Sequence, residues 1–210
     1  GAVSDLVRVA RMNSRGAKIK PQIATSAYWQ LLTNRNSRIR ELKQLDDKMV
    51  AMTRYSVTDM LADHVVDSAK LKSERVFKVQ INDVNVRLQM MQNNEMDAMF
   101  VTEPQATLAR LSKHKLLLDT RKMDWNMGVI AFREKPMKDV DRKRQYDVFV
   151  KAYNQACDSI NKNGIAHYAH LMEKYCRTRR EALDSIPKTK FHHAVGPREK
   201  DMMMAEKYTK

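Results

Sequence analysis

The sequence predicts an α/β protein organised on a parallel sheet, and three observations predict it. Between residues 45 and 118 the apolar pattern alternates β, α, β, α, β, α, β. That order lays helices on both faces of a parallel sheet. The strand candidates are short apolar runs, and the stretches between them repeat apolar residues at spacings of three and four. Three of the strands end in polar residues: Thr53-Arg54-Tyr55-Ser56, Asn82-Asp83 and Thr102-Glu103. In open α/β sheets the ligand lies at the carboxyl ends of the strands, so these three ends are expected to line one crevice.

Taken in order, residues 2–9 carry Val3, Leu6, Val7 and Val9 and read as a helix that ends near Gly16, a suitable C′ residue. Residues 18–24 read as a strand interrupted by Pro21, hence an edge strand. Residues 28–33 read as a second strand, and residues 39–45 as a short helix with Ile39, Leu42 and Leu45 on one face. Residues 49–52 form the next strand. Ser56 stands where a helix N-cap belongs, with Asp59 three residues on, and Val57, Met60, Leu61, Val65 and Ala69 continue the helical spacing. A strand at 76–81, a helix at 84–91, a strand at 97–101, a helix at 105–111 with Pro104 in its first turn, and strands at 115–118 and 127–132 follow. From residue 139 onward helices dominate, at 141–161, 165–175 and 178–185, and a final one covers 199–208.

The formal net charge of +14 raises the question of nucleic acid. The basic residues, however, are scattered, and the densest groups (Arg35 to Arg40, Arg142 to Arg144, Arg177 to Arg180) are not interleaved with aromatics. A single-strand binding face needs such interleaving, so the charge reads as solvated surface with a preference for anionic ligands. No apolar run approaches the ~20 residues of a membrane span. Gly-x-Ser-x-Gly, Walker A and Gly-x-Gly-x-x-Gly patterns are absent. His167 and His170 lack a suitably spaced acidic or cysteine partner, and the methionine clusters read as packing, so no metal and no cofactor is expected. Cys157 and Cys176 read as buried thiols.

Several stretches carry a family resemblance. Lys43 to Ala51 looks like the "DLKGKKIAV" that opens the second lobe of periplasmic substrate-binding proteins, and Arg87 to Ala98 is similar to their "ALLAGQVDA". Thr102-Glu103-Pro104 resembles "TEP", Met127 to Phe132 resembles "GVLVF", and Val148 to Ile160 resembles "FLKAYNEAVEWIN". The sequence therefore resembles the nitrate/sulfonate/taurine binding proteins of ABC transporters, a group that includes thiamine-pyrimidine precursor binders. The resemblance covers nearly the whole chain.

It implies a type II periplasmic-binding-protein-like fold of two α/β lobes joined by crossing strands at 28–33 and 127–132. The division expected from it is 1–33 as the remainder of lobe 1, 34–126 as lobe 2, and 127–210 as the second crossing strand with C-terminal helices packing on lobe 1. The family's first lobe has a strand–helix–strand–helix before the counterpart of residue 1. The chain opens Gly-Ala-Val-Ser-Asp, so lobe 1 is expected to be incomplete and to expose a sheet edge open to pairing with a second copy.

The ligand set that the resemblance implies is Thr25 and Ser26 in the first-lobe loop, Ser56 and Thr58 at a helix start, and Thr102 and Glu103 at a strand end. Thr53, Arg54 and Tyr55 complete the loop, with Arg54 suited to a sulfonate, carboxylate or phosphate and Tyr55 to a flat ring. Asn82 and Asp83 close the strand at 76–81, and Trp29 and Trp125 flank the crossing strands. The expected function is capture of a small anionic or heteroaromatic solute in an interlobe cleft by lobe closure, without covalent chemistry. The expected partner is an ABC permease, and the expected location is the periplasm or a lipoprotein anchor. Two alternatives share the fold, the effector-sensing domain of a transcription regulator and an enzyme of the pyrimidine-synthase type, whose cysteine-rich motif is missing here.

Overall fold

The computed structural model describes residues 1–209. Its strands are β1 (Ala2–Asp5), β2 (Ile19–Ala24), β3 (Gln30–Thr33), β4 (Lys48–Met52), β5 (Val76–Gln80), β6 (Ala98–Val101), β7 (Lys115–Asp119) and β8 (Gly128–Arg133). Its helices are α1 (Leu6–Ser14), α2 (Val57–Ser68), α3 (Val84–Gln92), α4 (Gln105–Leu111), α5 (Val140–Asn163), α6 (Ala169–Cys176), α7 (Arg180–Leu183) and α8 (Glu199–Thr209). The chain forms two compact units. One comprises Gly1–Ala27, Trp125–Tyr175 and the chain from Pro187 onward; the other comprises Tyr28–Asp124 and Cys176–Ile186.

The first unit is an antiparallel sheet, β1-β8-β2, with α1, α5, α6 and α8. Residues 2–5, expected to open a helix, instead pair with β8, Ala2 opposite Ala131 and Asp5 opposite Gly128. The helix starts only at Leu6, where the Asp5 carboxylate accepts the Arg8 N–H at 2.9 Å and caps it. Gly16 adopts φ +90° and closes α1, as its residue type suggested. β2 is an edge strand whose register slips between Pro21 and Ile23. Pro21 has no N–H to give a ladder, which suits it to that position. On α5, Tyr146 and Phe149 pack edge-on against Phe132 of β8, with centroids 5.1 and 6.0 Å away. Cys157, buried on the same helix, donates its S–H to the His192 carbonyl, and burial pushes its pKa up. The predicted helix at 165–175 divides into a 3-10 turn, Ile165–Tyr168, and α6.

The second unit carries a five-stranded sheet in the order β5-β4-β6-β3-β7. β4 is parallel to both β5 and β6, as the alternating pattern predicted. The sheet as a whole is mixed, because β3 inserts antiparallel between β6 and β7. All four residues of β3 are buried, and the chain leaves the first unit at Ala27 and enters the second at Tyr28, directly before this strand. The helix expected at 39–45 shrinks to a 3-10 turn at Leu42–Leu45, because Arg38 has φ +56° and Glu41 is extended. Cys176–Ile186, grouped by sequence with the C-terminal helices, clusters with this unit, and its only helix is the single turn α7.

One face of this sheet presents Leu32, Ala51, Met99 and Val101, packed with Leu88 and Met91 of α3 and Ala106 and Ala109 of α4. Strand alternation sends Leu31, Val50, Met52 and Phe100, all at most 2% exposed, to the other face. From β4 the chain winds outward to β5 and then returns past β4 to β6. Right-handed crossovers in opposite directions put α2 and α3 on opposite faces. The winding therefore reverses between β4 and β6, and this reversal positions the site.

Candidate functional site

A topological switch point leaves a crevice at the carboxyl ends of the two strands that flank it. Here those ends are the 53–56 loop after β4 and Thr102-Glu103 after β6. β5 is parallel to β4, so Asn82 and Asp83 share that edge. β7 runs parallel to β6 across β3, which adds Asp119 to the edge and also the residues that enter β3, Tyr28, Trp29 and Gln30.

The 53–56 loop is held from within. The Ser56 hydroxyl donates to the Thr53 carbonyl at 2.7 Å, lies 2.9 Å from the Thr58 hydroxyl, and accepts the Thr58 N–H at 3.2 Å. Thr58 Oγ1 in turn accepts the Thr53 N–H at 2.9 Å. Ser56 thus caps α2 as its sequence position predicted. Both hydroxyls, expected to meet a ligand, are buried and bonded to the loop itself. Asp59 accepts the Tyr55 N–H at 2.8 Å and so holds Tyr55 at φ +60°. The same carboxylate accepts Lys78 Nζ at 2.8 Å, and Asp63 accepts it at 2.7 Å. Burial alone would lower the Lys78 pKa, but the two carboxylates outweigh it and raise it. Arg54 and Tyr55 are exposed. Ser56→Ala removes the cap and the carbonyl contact together, and is expected to cost about 1–2 kcal/mol. Chemical denaturation checks this, and a change within experimental error would mean that the cap does not hold the loop.

Arg87 joins the three parallel strand ends. It is 2% exposed and donates Nε to the Ile81 carbonyl at 2.7 Å, Nη1 to the Phe100 carbonyl at 2.6 Å, and Nη2 to the Thr53 hydroxyl. Asn82 is exposed, and its side-chain oxygen accepts from Gln80 at 3.4 Å. Asp83 caps α3, and the Asn85 and Val86 N–H groups bonded to its carboxylate lower its pKa.

Beside this sits a closed ring of polar contacts. Glu103 accepts Arg110 Nη2 at 2.8 Å and the Tyr28 hydroxyl at 3.4 Å. Arg110 Nη1 donates to the Gln30 side-chain oxygen. Gln30 Nε2 donates to Asp119 at 2.8 Å, and Asp119 accepts Arg121 Nε at 3.0 Å. The Arg121 guanidinium lies 4.2 Å over the Tyr28 ring, which closes the circuit. Trp29 is half-buried and exchanges backbone contacts with Thr120, its N–H meeting the Thr120 hydroxyl at 2.9 Å. Thr102, half-buried, gives its carbonyl to the first turn of α4.

Thr25, Ser26 and Trp125 belong to the first unit. There the Thr25 N–H donates to the Gly128 carbonyl at 2.9 Å, and Ser26 Oγ accepts the His192 N–H at 3.3 Å. The Thr25 hydroxyl and the Asn126 side-chain oxygen are buried without a hydrogen-bond partner among the described residues.

No family model and no curated protein matches this sequence. Solved structures do match in fold. The alkanesulfonate-binding protein SsuA from Xanthomonas axonopodis pv. citri bound to MOPS superposes with a TM-score of 0.78 at 14% identity, over 99% of this chain and 72% of that one. The periplasmic aliphatic sulphonate binding protein SsuA from Escherichia coli gives 0.77 at 14% identity, over 99% and 67%. The ligand-binding component of an ABC-type import system from Staphylococcus aureus gives 0.72 at 14% identity, over 100% and 72%. The fold is that of the periplasmic substrate-binding proteins. That fold also supports chemistry, since the desulfurization enzyme DSZB shares it at a TM-score of 0.65 and 11% identity, over 99% of this chain and 76% of that one.

Within this substrate-binding-protein fold, the sequence reading named the three polar strand ends but not Arg87, Gln30, Arg110, Asp119, Arg121 or Tyr28. Two of these carried a signal. Arg87 lies four residues from Met91 on the apolar stripe of a helix, and Gln30 interrupts an otherwise apolar strand.

Proposed function

We propose that this chain is the solute-binding component of an ABC-type importer and that it takes a small anion of the sulfonate class at the carboxyl edge of its five-stranded sheet. One observation carries the reading: the loops at the switch point, with Arg54 and Tyr55 exposed, are held by the chain's own contacts through Arg87 and the Ser56 cap. A pre-organised polar edge binds without the entropic cost of ordering loops. The sulfonate class rests on the SsuA neighbours and on the excess of positive charge. Taurine, nitrate and thiamine-precursor pyrimidines are the competing solutes. A permease partner and a location outside the cytoplasmic membrane follow from the importer role. Among the described residues no helix is long and apolar enough to cross a membrane. Binding needs no bond to form or break.

The test is a thermal-shift and calorimetric panel of alkanesulfonates, MOPS, taurine, nitrate, carboxylates and pyrimidines. A bound solute at a hundred times its dissociation constant adds about 2.7 kcal/mol. A sulfonate is expected to give the largest shift and to be recovered unchanged. A panel in which no sulfonate shifts the transition overturns the solute class. Release of sulfite from a bound sulfonate overturns the binding-only reading in favour of an enzyme.

A further inference from the structure

Arg121 is the one member of the polar ring that reaches well into solvent. Its side chain is 42% exposed, against 4% for Asp119, 14% for Glu103 and 25% for Arg110. Nε and Nη2 are given to Asp119, while Nη1 makes no hydrogen bond among the described residues. A guanidinium that presents one edge of its planar fork to a carboxylate keeps the other edge for a second oxyanion. The Tyr28 ring lies beneath it, and the Arg121 N–H is itself tied to Asp119 at 3.0 Å, so the chain's own contacts orient the fork. Both carboxylates of the ring are bonded to arginine partners and are far less exposed than Arg121, which leaves that guanidinium as the ring's solvent-facing charge.

Arg54 is different. It is exposed on a loop, and no hydrogen bond or ion pair orients its guanidinium among the described residues. Holding a free arginine on a ligand costs side-chain entropy that a braced one has already lost.

We propose that Arg121, braced by Asp119 and Tyr28, is the residue that receives the tetrahedral oxyanion of the solute, with Arg54 in a minor role. The proposal rests on the carboxyl edge of the second unit being the solute site. Inorganic sulfate is the probe, because it carries the oxyanion without the organic tail. The arginine Nε–H signals of the isotope-labelled protein are followed by NMR while sulfate replaces chloride at constant ionic strength. The Arg121 signal is expected to move saturably, and Arg121→Gln should abolish the response while Arg54→Gln leaves it. For the best sulfonate of the panel, Arg121→Gln should raise Kd by about tenfold or more, the worth of one charge-assisted contact. Arg54→Gln should raise it less than about threefold. Tyr28→Leu keeps the charge and removes the platform, and should weaken sulfate binding while the Asp119 pair persists.

Saturable sulfate binding at Arg121 with no sulfonate binding more tightly than sulfate upholds this site and defeats the sulfonate reading of the solute class. An Arg121 signal indifferent to both sulfate and sulfonates overturns the proposal, as does a response lost in Arg54→Gln and kept in Arg121→Gln.

Discussion

Replacing Arg87 with alanine is expected to lower the folding free energy by about 3–5 kcal/mol. Hydrogen bonds from a charged donor are worth about 1.5–3 kcal/mol each, and a buried carbonyl left without a donor costs about 1–3 kcal/mol. Arg87 serves two carbonyls, Ile81 and Phe100, and one hydroxyl, Thr53. The loss falls on the sheet edge that fixes the switch-point loops, so the 53–56 loop should loosen in the variant. Trp29 lies in the second unit and Trp125 in the first. Urea denaturation in a Trp125→Phe background therefore makes Trp29 report on the unit in question. The midpoint is expected to fall by about 1–2 M with the slope unchanged. Arg87→Lys should recover less than half of the loss, because an ammonium on a flexible stem cannot reproduce a planar fork that reaches three acceptors in different directions. A loss below about 1 kcal/mol on Arg87→Ala would show that water replaces the guanidinium freely and that the three strand ends are not tied through it.

What was legible in the sequence was local. Ser56 and Asp59 announce a helix start, and the structure begins α2 at Val57. The Gln105 helix, the Gly16 stop and the Pro21 edge were likewise set by residues within a few positions of the feature. The polar ends of β4, β5 and β6 could be read onto one edge because alternating strand and helix leaves few topologies open. Non-local pairing was not legible. Nothing in Gln30-Leu31-Leu32-Thr33 says that it slots antiparallel between two strands that follow it by some seventy to ninety residues (Leu31 faces Phe100 and Leu118). Residues 2–5 were missed for a related reason. Their apolar spacing fits a helix turn as well as a strand, and β8, which decides the matter, comes more than a hundred residues later (Ala2 faces Ala131). The polar ring was invisible because each member looks ordinary alone. Arg110 and Arg121 read as surface charges until β3 brings Gln30 between them.

Gln30 also keeps that ring indifferent to protons near neutral pH. It is 1% exposed, accepting from Arg110 on its oxygen and donating to Asp119 from its nitrogen at 2.8 Å. Glutamine is suited to this position because it can face a guanidinium and a carboxylate at once. Burial by itself would raise the Asp119 pKa; hydrogen bonds from Arg121 and Gln30 overcome it and hold the carboxyl below its ordinary value. A depressed carboxylate stabilises the fold above the unfolded pKa of about 3.9 and loses that contribution as pH falls through the lower folded value. Wild-type stability from this group should therefore be flat from pH 8 to 5.

Gln30→Glu has the same shape but sets a second carboxylate against Asp119. Two carboxylates that share a site cannot both stay ionised cheaply, so the pair acquires one strongly raised pKa. That group's folded pKa lies above its unfolded value, so the sign reverses. The variant should be about 2–4 kcal/mol less stable than wild type at pH 8 and should regain most of the deficit as pH falls towards 5, when the shared proton restores a donor to Asp119. Gln30→Leu fills the space without adding charge. It should lose a comparable amount at every pH, because it leaves Arg110 and Asp119 each short of a partner. Urea midpoints for the three proteins between pH 5 and 8 separate these cases. Parallel curves for wild type and Gln30→Glu would mean that the two carboxylates do not meet, and that Gln30 does not close the ring beneath Arg121.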